Sequence, residues 1–360
     1  MSSPEPVPAA PAVPGEKLLA EIREQPAALG RLLEHEAEYA RVAAAARERG
    51  ATTVRMVGHG SSDNAAAFGV YAFGLLPGWT ALRDSITLTV YYGAELDMAG
   101  STAIGLSQSG QTPDVVEYVE RARRSGAFTI ALTNDPASEL AGHAEAVLPL
   151  GAGAERSIAA TKTYLNQVAA LGLLAAHAAG RGRAFAEHLR VVAAALEELI
   201  PALERTVPQI ALGFTFVGRM FVIGRGPEFA TAREVALKLL ETCRIAAEPL
   251  TATDLAHGPV AALDALFPVW TIASSDDSLP AVVEAAGRVR EAGATLVATG
   301  DAAGALKGAD YVLRTPRPPS PLLSPLLSVV PGQLFAWAVA RAKGLDPDRP
   351  EGLAKVTFAR

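Results

Sequence analysis

The sequence predicts an α/β protein built from two tandem doubly wound domains, each a parallel sheet between two layers of helices. Half of the 360 residues are hydrophobic and only 19% are charged, which is typical of a chain with extensive buried cores. The chain also matches itself at an offset of 167 residues. Within each copy, short apolar runs alternate with longer helical stretches, a pattern that predicts parallel strands with right-handed helical crossovers.

The internal repeat can be followed residue by residue. At the offset of 167 the matching pairs are Ser107 and Ser274, Val115 and Val282, Gly126 and Gly293, and Ala131 and Ala298. At an offset of 166 the glycine turn at Gly58 and Gly60 falls on Gly224 and Gly226, and each turn closes a short apolar run. Both copies are therefore expected to begin with a strand, a glycine turn and a helix.

The segments before the first domain differ in composition. Residues 1–15 contain five prolines among alanines and have neither a basic cluster nor a long apolar run, so we expect a disordered tail and not a signal peptide. Residues 16–50 have a helical pattern and predict N-terminal helices.

Residues 51–180 form the first predicted domain. Its strands are expected at 54–57, 103–106 and 129–132, and a helix is expected to start near Pro113, because proline favours the first position of a helix. The alanine-rich stretch 164–203 predicts helical structure that joins the two domains, and residues 181–207 are expected to form the connecting helix.

Residues 208–345 form the second predicted domain, with strands at 221–223, 269–273 and 295–298. The uncharged stretch 318–340 is long enough to cross a membrane, but its prolines and serines predict a loop followed by a buried helix. Residues 346–360 are expected to form a C-terminal tail that closes the site.

Charge and cysteine content exclude several classes of function. The net charge of −6 and the lack of basic clusters argue against a nucleic-acid partner. Cys243 is the single cysteine, so neither an intrachain disulfide nor a multi-cysteine metal site can form. The histidines show no metal-ligand spacing. We therefore expect a cytoplasmic protein with a small-molecule ligand, no metal, no cofactor and no membrane partner.

The two copies differ most between the second strand and the following helix. In the first copy Ser107–Thr112 reads SQSGQT, which brings hydroxyls, an amide and a flexible glycine to a helix N-terminus and so favours an anion. In the second copy the same positions, Ser274–Leu279, include two aspartates that would repel phosphate. The turn Gly58–Ser62 would supply further donors at the same sheet edge. We predict that phosphate binds only the first copy.

Several short motifs occur in a fixed order along the chain. They are EIREQP at 21–26, GHGSS at 58–62, SQSGQT at 107–112, AATKTY at 159–164, GRG at 224–226, ALKLLE at 236–241, HGP at 257–259 and LAK at 353–355. Together they resemble the SIS (sugar isomerase) family, in the double-domain form found in the isomerase half of glutamine:fructose-6-phosphate amidotransferase. The resemblance covers almost all of residues 20–358.

The resemblance implies a fold of two three-layer α/β/α SIS domains and a set of site residues. The phosphate ligands that it implies are Ser61, Ser62, Ser107, Gln108, Ser109 and Thr112, and the implied lining of the sugar pocket includes Gly60 and Ala160. Ala160 departs from the synthase, which has serine there, and would leave a roomier and less polar pocket.

The implied catalytic residues lie in the second domain and the tail. Glu234, Lys238 and Glu241 share one helix face, and the resemblance makes Glu241 the base between C1 and C2 and Lys238 the residue that places the hydroxyls. It also implies that His257, lent by the neighbouring subunit of a homodimer, opens the sugar ring. Lys355 would engage the open-chain carbonyl, although the tail sequence around it departs from the family pattern.

These residues imply an enzyme that acts on an amino-sugar 6-phosphate by C2 proton abstraction. The resemblance includes stand-alone glucosamine-6-phosphate deaminases, and a deaminase or aldose–ketose isomerase is the first interpretation. Because no glutaminase segment precedes the repeat, we expect no glutamine-driven amination. One alternative is a lyase or dehydratase that acts on N-acetylglucosamine 6-phosphate, and another is a non-catalytic phosphosugar sensor. The sequence leaves open which amino sugar binds and in which direction the reaction runs.

Overall fold

The computed structural model describes residues 13–355, so most of the predicted tail 1–15 and the last five residues of the predicted tail 346–360 lie outside the described residues. Three helices precede the first sheet: α1 (Glu16–Arg23), α2 (Gln25–Leu33) and α3 (Glu36–Glu48). The first domain then consists of β1 (Thr53–Val57), α4 (Ser61–Leu75), β2 (Thr80–Arg83), β3 (Ser101–Ser107), α5 (Pro113–Arg124), β4 (Phe128–Thr133), α6 (Glu139–His143), β5 (Ala146–Pro149) and α7 (Lys162–Ala178). A π-helical turn, Thr87–Tyr91, lies between β2 and β3.

The second domain follows a long connecting helix, α8 (Gly182–Ala211). Its elements are β6 (Arg219–Gly224), α9 (Glu228–Cys243), β7 (Ala246–Thr251), β8 (Val269–Ile272), α10 (Leu279–Glu291), β9 (Leu296–Gly300), β10 (Tyr311–Arg314) and α11 (Ser324–Ala342). Short 3₁₀ turns join several of these elements, among them Asp254–His257 between β7 and β8.

The two sheets have the same topology, which confirms both the predicted fold class and the repeat. The strand orders are β2-β1-β3-β4-β5 and, read in the corresponding direction, β7-β6-β8-β9-β10. All strand pairs are parallel. In the first sheet the chain runs from β1 to β2 on one side and from β3 to β4 on the other, and the second sheet repeats this arrangement. The loops after β1 and β3 therefore diverge and leave a crevice at the carboxyl edge of the sheet.

The core extends through both domains. The central strands β3 and β4 are buried along their whole length, as expected for parallel strands covered on both faces. Helices α4, α7, α9 and α11 pack between the two sheets, and one continuous apolar cluster takes in residues from both domains. This shared helical layer holds the carboxyl edge of the first sheet against α9 of the second domain.

Two stretches predicted to be helical, 164–203 and 318–340, can be compared with the structure. The stretch 164–203 is not one helix, because the chain leaves α7 at Ala178 and Gly180 takes a left-handed φ of +71° before α8 begins. The buried helix expected within 318–340 is confirmed: Pro321–Ala342 has the length and hydropathy of a membrane span, but the window that passes this test is 100% buried inside the protein.

Candidate active site

Two hydroxyl-rich turns meet at the carboxyl edge of the first sheet. One follows β1 and the other follows β3, and these strands are neighbours in the sheet. Both turns border a cavity of about 570 Å³. The predicted site residues that line it are Gly60, Ser61, Ser62, Ser107, Gln108, Ser109, Thr112, Ala160, Glu241 and Lys355. A larger groove of about 920 Å³ lies beyond Asp114, but neither hydroxyl-rich turn borders it, so we place the candidate site in the smaller cavity.

The turn after β3 is held open by its own hydrogen bonds. The hydroxyls of Ser107 and Thr112 lie 2.9 Å apart, and the Gly110 N–H donates to Ser107 Oγ at 3.1 Å. Gly110 has a φ of +63°, and a Cβ there would lie 2.0 Å from Ser138 Oγ, so only glycine fits. The turn therefore presents its hydroxyls at the N-terminus of α5, where unpaired N–H groups favour an anion.

The turn after β1 is anchored to the helical layer. Gln167 Nε2, on α7, donates to Ser62 Oγ at 2.9 Å. Ser61 Oγ donates to Glu234 Oε1 of α9 at 2.9 Å, so its hydroxyl links the first domain to the second. Ser61 and Ser62 both border the cavity, but in the structure each hydroxyl is already engaged.

The corresponding place in the second domain is filled by a side chain of the chain itself. Ser274, the counterpart of Ser107, donates to Glu228 Oε1 at 2.7 Å, and Ser328 donates to Glu228 Oε2 at 2.6 Å. Burial raises the pKa of Glu228, and the surrounding hydroxyls counteract only part of that rise. An internal carboxylate thus takes the hydroxyl donors that the first copy leaves beside its cavity.

We predict that replacing Ser109 and Thr112 with alanine weakens the binding of a sugar phosphate far more than that of the same sugar without phosphate. Each lost charge-assisted hydrogen bond is expected to cost about 1.5–3 kcal/mol. Calorimetric titration of both ligands measures the effect. Equal weakening of the two ligands would contradict the assignment of this turn to phosphate.

A row of charged residues on α9 reaches the same cavity from the second domain. Lys238 Nζ lies 3.3 Å from Glu234 Oε1 and 2.6 Å from Glu241 Oε2. The side chains of Glu234 and Lys238 are 0% and 2% exposed, whereas that of Glu241 is 22% exposed and borders the cavity. The face predicted from the spacing is therefore buried and not solvated, and Lys238 lies behind Glu241, away from the cavity lining.

Burial and charge act in opposite directions within this row. Burial by itself lowers the pKa of Lys238, but the two adjacent carboxylates outweigh it and hold that pKa above its ordinary value. Burial raises the pKa of Glu234, although Lys238 and Asn64, which donates to Glu234 Oε2 at 2.9 Å, counteract it. Lys238 thus remains a cation directly beside Glu241.

Lys355 is held by a residue that the sequence analysis did not single out. Its Nζ lies 2.8 Å from Glu155 Oε2 and donates to the Ser157 carbonyl at 2.7 Å. Glu155 is fully buried and also accepts hydrogen bonds from the Thr161 N–H and the Thr163 hydroxyl. Its position just before the AATKTY motif is the only sequence signal for it, and a single carboxylate in a loop is a weak one.

We predict that Glu155→Gln lowers the free energy of unfolding at neutral pH by about 1.5–3 kcal/mol, the range for hydrogen bonds to a charged group. Burial tends to raise the pKa of Glu155, but Lys355 and the hydrogen bonds outweigh it, so the folded-state pKa is lowered from 4.5. A lowered carboxyl pKa stabilises the folded protein above the unfolded-state value. The difference between wild type and variant should therefore shrink as the pH falls below 4.5 through the folded-state pKa.

Urea denaturation at a series of pH values measures this dependence. Glu187→Gln, an exposed carboxylate on α8, is the matched control and should leave the stability unchanged at every pH. A pH-independent difference between Glu155→Gln and wild type would contradict the assigned ion pair.

His257 is the predicted site residue that the single chain does not bring to the cavity. It ends the 3₁₀ turn Asp254–His257, is exposed, and is not among the residues that line the cavity. Of the other catalytic candidates, Glu241 and Lys355 line the cavity within one chain, and Lys238 contacts Glu241 from behind the lining. Among residues 13–355 no group of three or more His, Cys, Asp or Glu side chains is arranged to hold a metal ion.

Comparison with known proteins identifies the same family in both domains. The SIS domain family model matches residues 49–177 and 214–341. Glutamine–fructose-6-phosphate aminotransferase (isomerizing) of Corynebacterium efficiens is 37% identical over 266 residues, which cover 70% of this chain and 42% of that protein. The chain thus spans about half the length, or less, of the curated relatives that it matches.

Solved structures of similar architecture cover nearly the whole chain. A protein of Silicibacter pomeroyi DSS-3, provisionally described as a phosphosugar isomerase, is 33% identical with a TM-score of 0.80, and the match covers 92% of this chain and 99% of that one. Glucosamine-6-phosphate deaminase of Thermotoga maritima is 23% identical with a TM-score of 0.75 over 94% and 99% of the two chains. The latter likeness shows the fold alone.

Proposed function

The chain belongs to the SIS domain family, and from that membership we propose that it is a phosphosugar enzyme that acts on an amino-sugar 6-phosphate by removing the proton at C2. The preferred reaction is the deaminating isomerisation of glucosamine 6-phosphate. In that reaction glucosamine 6-phosphate and water give fructose 6-phosphate and ammonia, so no cofactor or oxidant is required.

One observation carries the proposal. A single cavity of about 570 Å³ is bordered by the hydroxyl-rich turns of the first domain and by Glu241 of the second. An anion at the helix N-termini and a base on α9 would then fix both ends of one small molecule. The proposed phosphate ligands are Ser61, Ser62, Ser107, Gln108, Ser109 and Thr112, with Gly60 and Ala160 beside the sugar.

The proposed chemistry divides between three side chains. Glu241 takes the C2 proton of the open-chain sugar and returns it to C1, which turns an aldose into a ketose. The Lys238 cation, 2.6 Å from Glu241 Oε2, orients that carboxylate for the transfer. Lys355, held by Glu155, is proposed to meet the carbonyl at C1. The resulting C2 imine hydrolyses to the ketone and ammonia.

The apolar residues of the cavity lining support a second candidate reaction. Ala160 borders the cavity together with Ile158 and Leu353, so this part of the wall is apolar. Such a wall suits an N-acyl group, and if C1 is held less firmly, the carbanion at C2 can expel the C3 hydroxyl as water. The alternative is therefore a lyase that acts on N-acetylglucosamine 6-phosphate.

Product analysis separates these reactions. Purified protein is incubated with glucosamine 6-phosphate or its N-acetyl form, and ammonia release and product masses are measured. Ammonia with fructose 6-phosphate supports the deaminase, whereas a product lighter by one water from the N-acetyl compound replaces it with the lyase. Tight binding of either compound without turnover would favour the non-catalytic sensor and overturn both enzymatic proposals.

We further propose that the working unit is a homodimer in which His257 reaches the partner's cavity, because the exposed His257 loop lies outside the cavity of its own chain. Glu241→Gln and His257→Asn are each expected to be inactive. When the two variants are mixed and allowed to exchange subunits, half of the dimers are mixed and each holds one intact site. About a quarter of the wild-type activity should then return. No recovery after proven subunit exchange would contradict the shared site.

A further inference from the structure

His59 is a titratable side chain at the cavity that has no role in the proposed reaction. It lies in the turn between β1 and α4, borders the cavity, and has a side chain that is 57% exposed. Its Nε2 lies 2.8 Å from Oδ2 of Asp114, which is in the first turn of α5. The histidine therefore joins the two hydroxyl-rich turns at the helix end where the proposed phosphate would lie.

The contact with Asp114 decides which ring nitrogen is free. An ionised carboxylate can only accept hydrogen bonds, so the proton of the His59–Asp114 contact belongs on Nε2. The ring makes no other hydrogen bond within residues 13–355. Nδ1 is thus left without a protein partner, and it becomes a second N–H donor when the imidazole takes up a proton.

The charges around the cavity explain why a protonated His59 would favour phosphate binding. The carboxylates that border it are Asp114, Glu155 and Glu241, and the one lysine, Lys355, is already paired with Glu155. Lys238 lies behind the lining between its two carboxylates. A phosphate dianion at the hydroxyl turns would therefore meet helix N-termini and neutral donors, with no unengaged lysine or arginine in the described lining.

We propose that His59 is a phosphate ligand of this site that takes up one proton when a phosphosugar binds, and that Asp114 positions it. The imidazolium donates from Nδ1 to a phosphate oxygen while Nε2 donates to Asp114. The proton comes from solvent and returns to it on release. This inference rests on the proposed phosphosugar function and adds a charge-specific ligand to it.

The test uses glucitol 6-phosphate, which has neither an amine nor a carbonyl, so binding is separated from catalysis and from Lys355 chemistry. Its affinity is measured by calorimetry between pH 7.0 and 8.5, where a phosphate monoester (pKa about 6) stays a dianion. For the wild type we expect the affinity to fall by about fivefold across this range as the imidazole loses its proton. His59→Asn and His59→Gln should bind about fivefold more weakly at pH 7.0 and show little pH dependence.

Matched measurements separate the possible explanations. Asp114→Asn should flatten the pH dependence, whereas a merely structural role would weaken binding equally at every pH. His188→Asn, a histidine on α8 outside the cavity, should behave as the wild type. If both His59 variants keep the wild-type affinity and pH dependence, the His59 inference is overturned and the proposed function stands. If wild-type protein does not bind glucitol 6-phosphate at any pH, the assignment of phosphate to this site is wrong, and the His59 inference is wrong as well.

Discussion

Glu241→Gln is expected to reduce turnover of glucosamine 6-phosphate by about 100-fold or more while the substrate affinity changes little. Glutamine keeps the size of the side chain and its place beside Lys238, but it cannot accept the C2 proton. Glu241 is the member of the α9 row that borders the cavity, and after the substitution Lys238 keeps its other carboxylate partner, Glu234.

The measurement that isolates this step is exchange of the C2 proton with heavy water, because it reports proton removal whatever product follows. Glu284→Gln is the matched control: Glu284 lies on α10, is exposed, and pairs with Arg288 at 2.9 Å. That control should exchange at the wild-type rate. Unchanged exchange in Glu241→Gln would refute Glu241 as the base.

Lys238→Met is expected to destabilise the fold by about 3–5 kcal/mol, besides abolishing turnover. Methionine fills most of the volume but removes the cation between Glu234 and Glu241. Glu234, which is 0% exposed, would keep a buried charge compensated, within residues 13–355, by the hydrogen bonds from Ser61 and Asn64 alone. Removing one partner of a buried ion pair costs more than replacing both.

Chemical denaturation measures this loss, with Lys307→Met at an exposed lysine as the control that should leave stability unchanged. The double variant Glu234→Gln/Lys238→Met should recover part of the lost stability, because it removes the uncompensated charge. Turnover should stay lost in the double variant. A Lys238→Met protein as stable as the wild type would contradict the buried charge row.

The sequence by itself determined the fold class, the duplication and the identity of the two hydroxyl-rich turns. These features have local signatures, because a buried strand, a glycine turn and a helix follow one another within a few tens of residues. The same pattern occurs in both copies of the repeat. The edge strands β2, β5, β7 and β10 went unpredicted because each is short and lacks a long apolar run.

Only the tertiary structure decided how the candidate site is held together. Glu155 and Lys355 are 200 positions apart, and Ser61 and Glu234 are 173 positions apart and lie in different domains. The same holds for the contact of His59, in the turn after β1, with Asp114, 55 positions away in α5. No spacing rule in one sequence encodes such pairs, because they arise only when the packed helical layer brings two sheet edges and the tail together. The sequence thus shows which polar groups are present, and only the packing of the folded chain shows which of them pair.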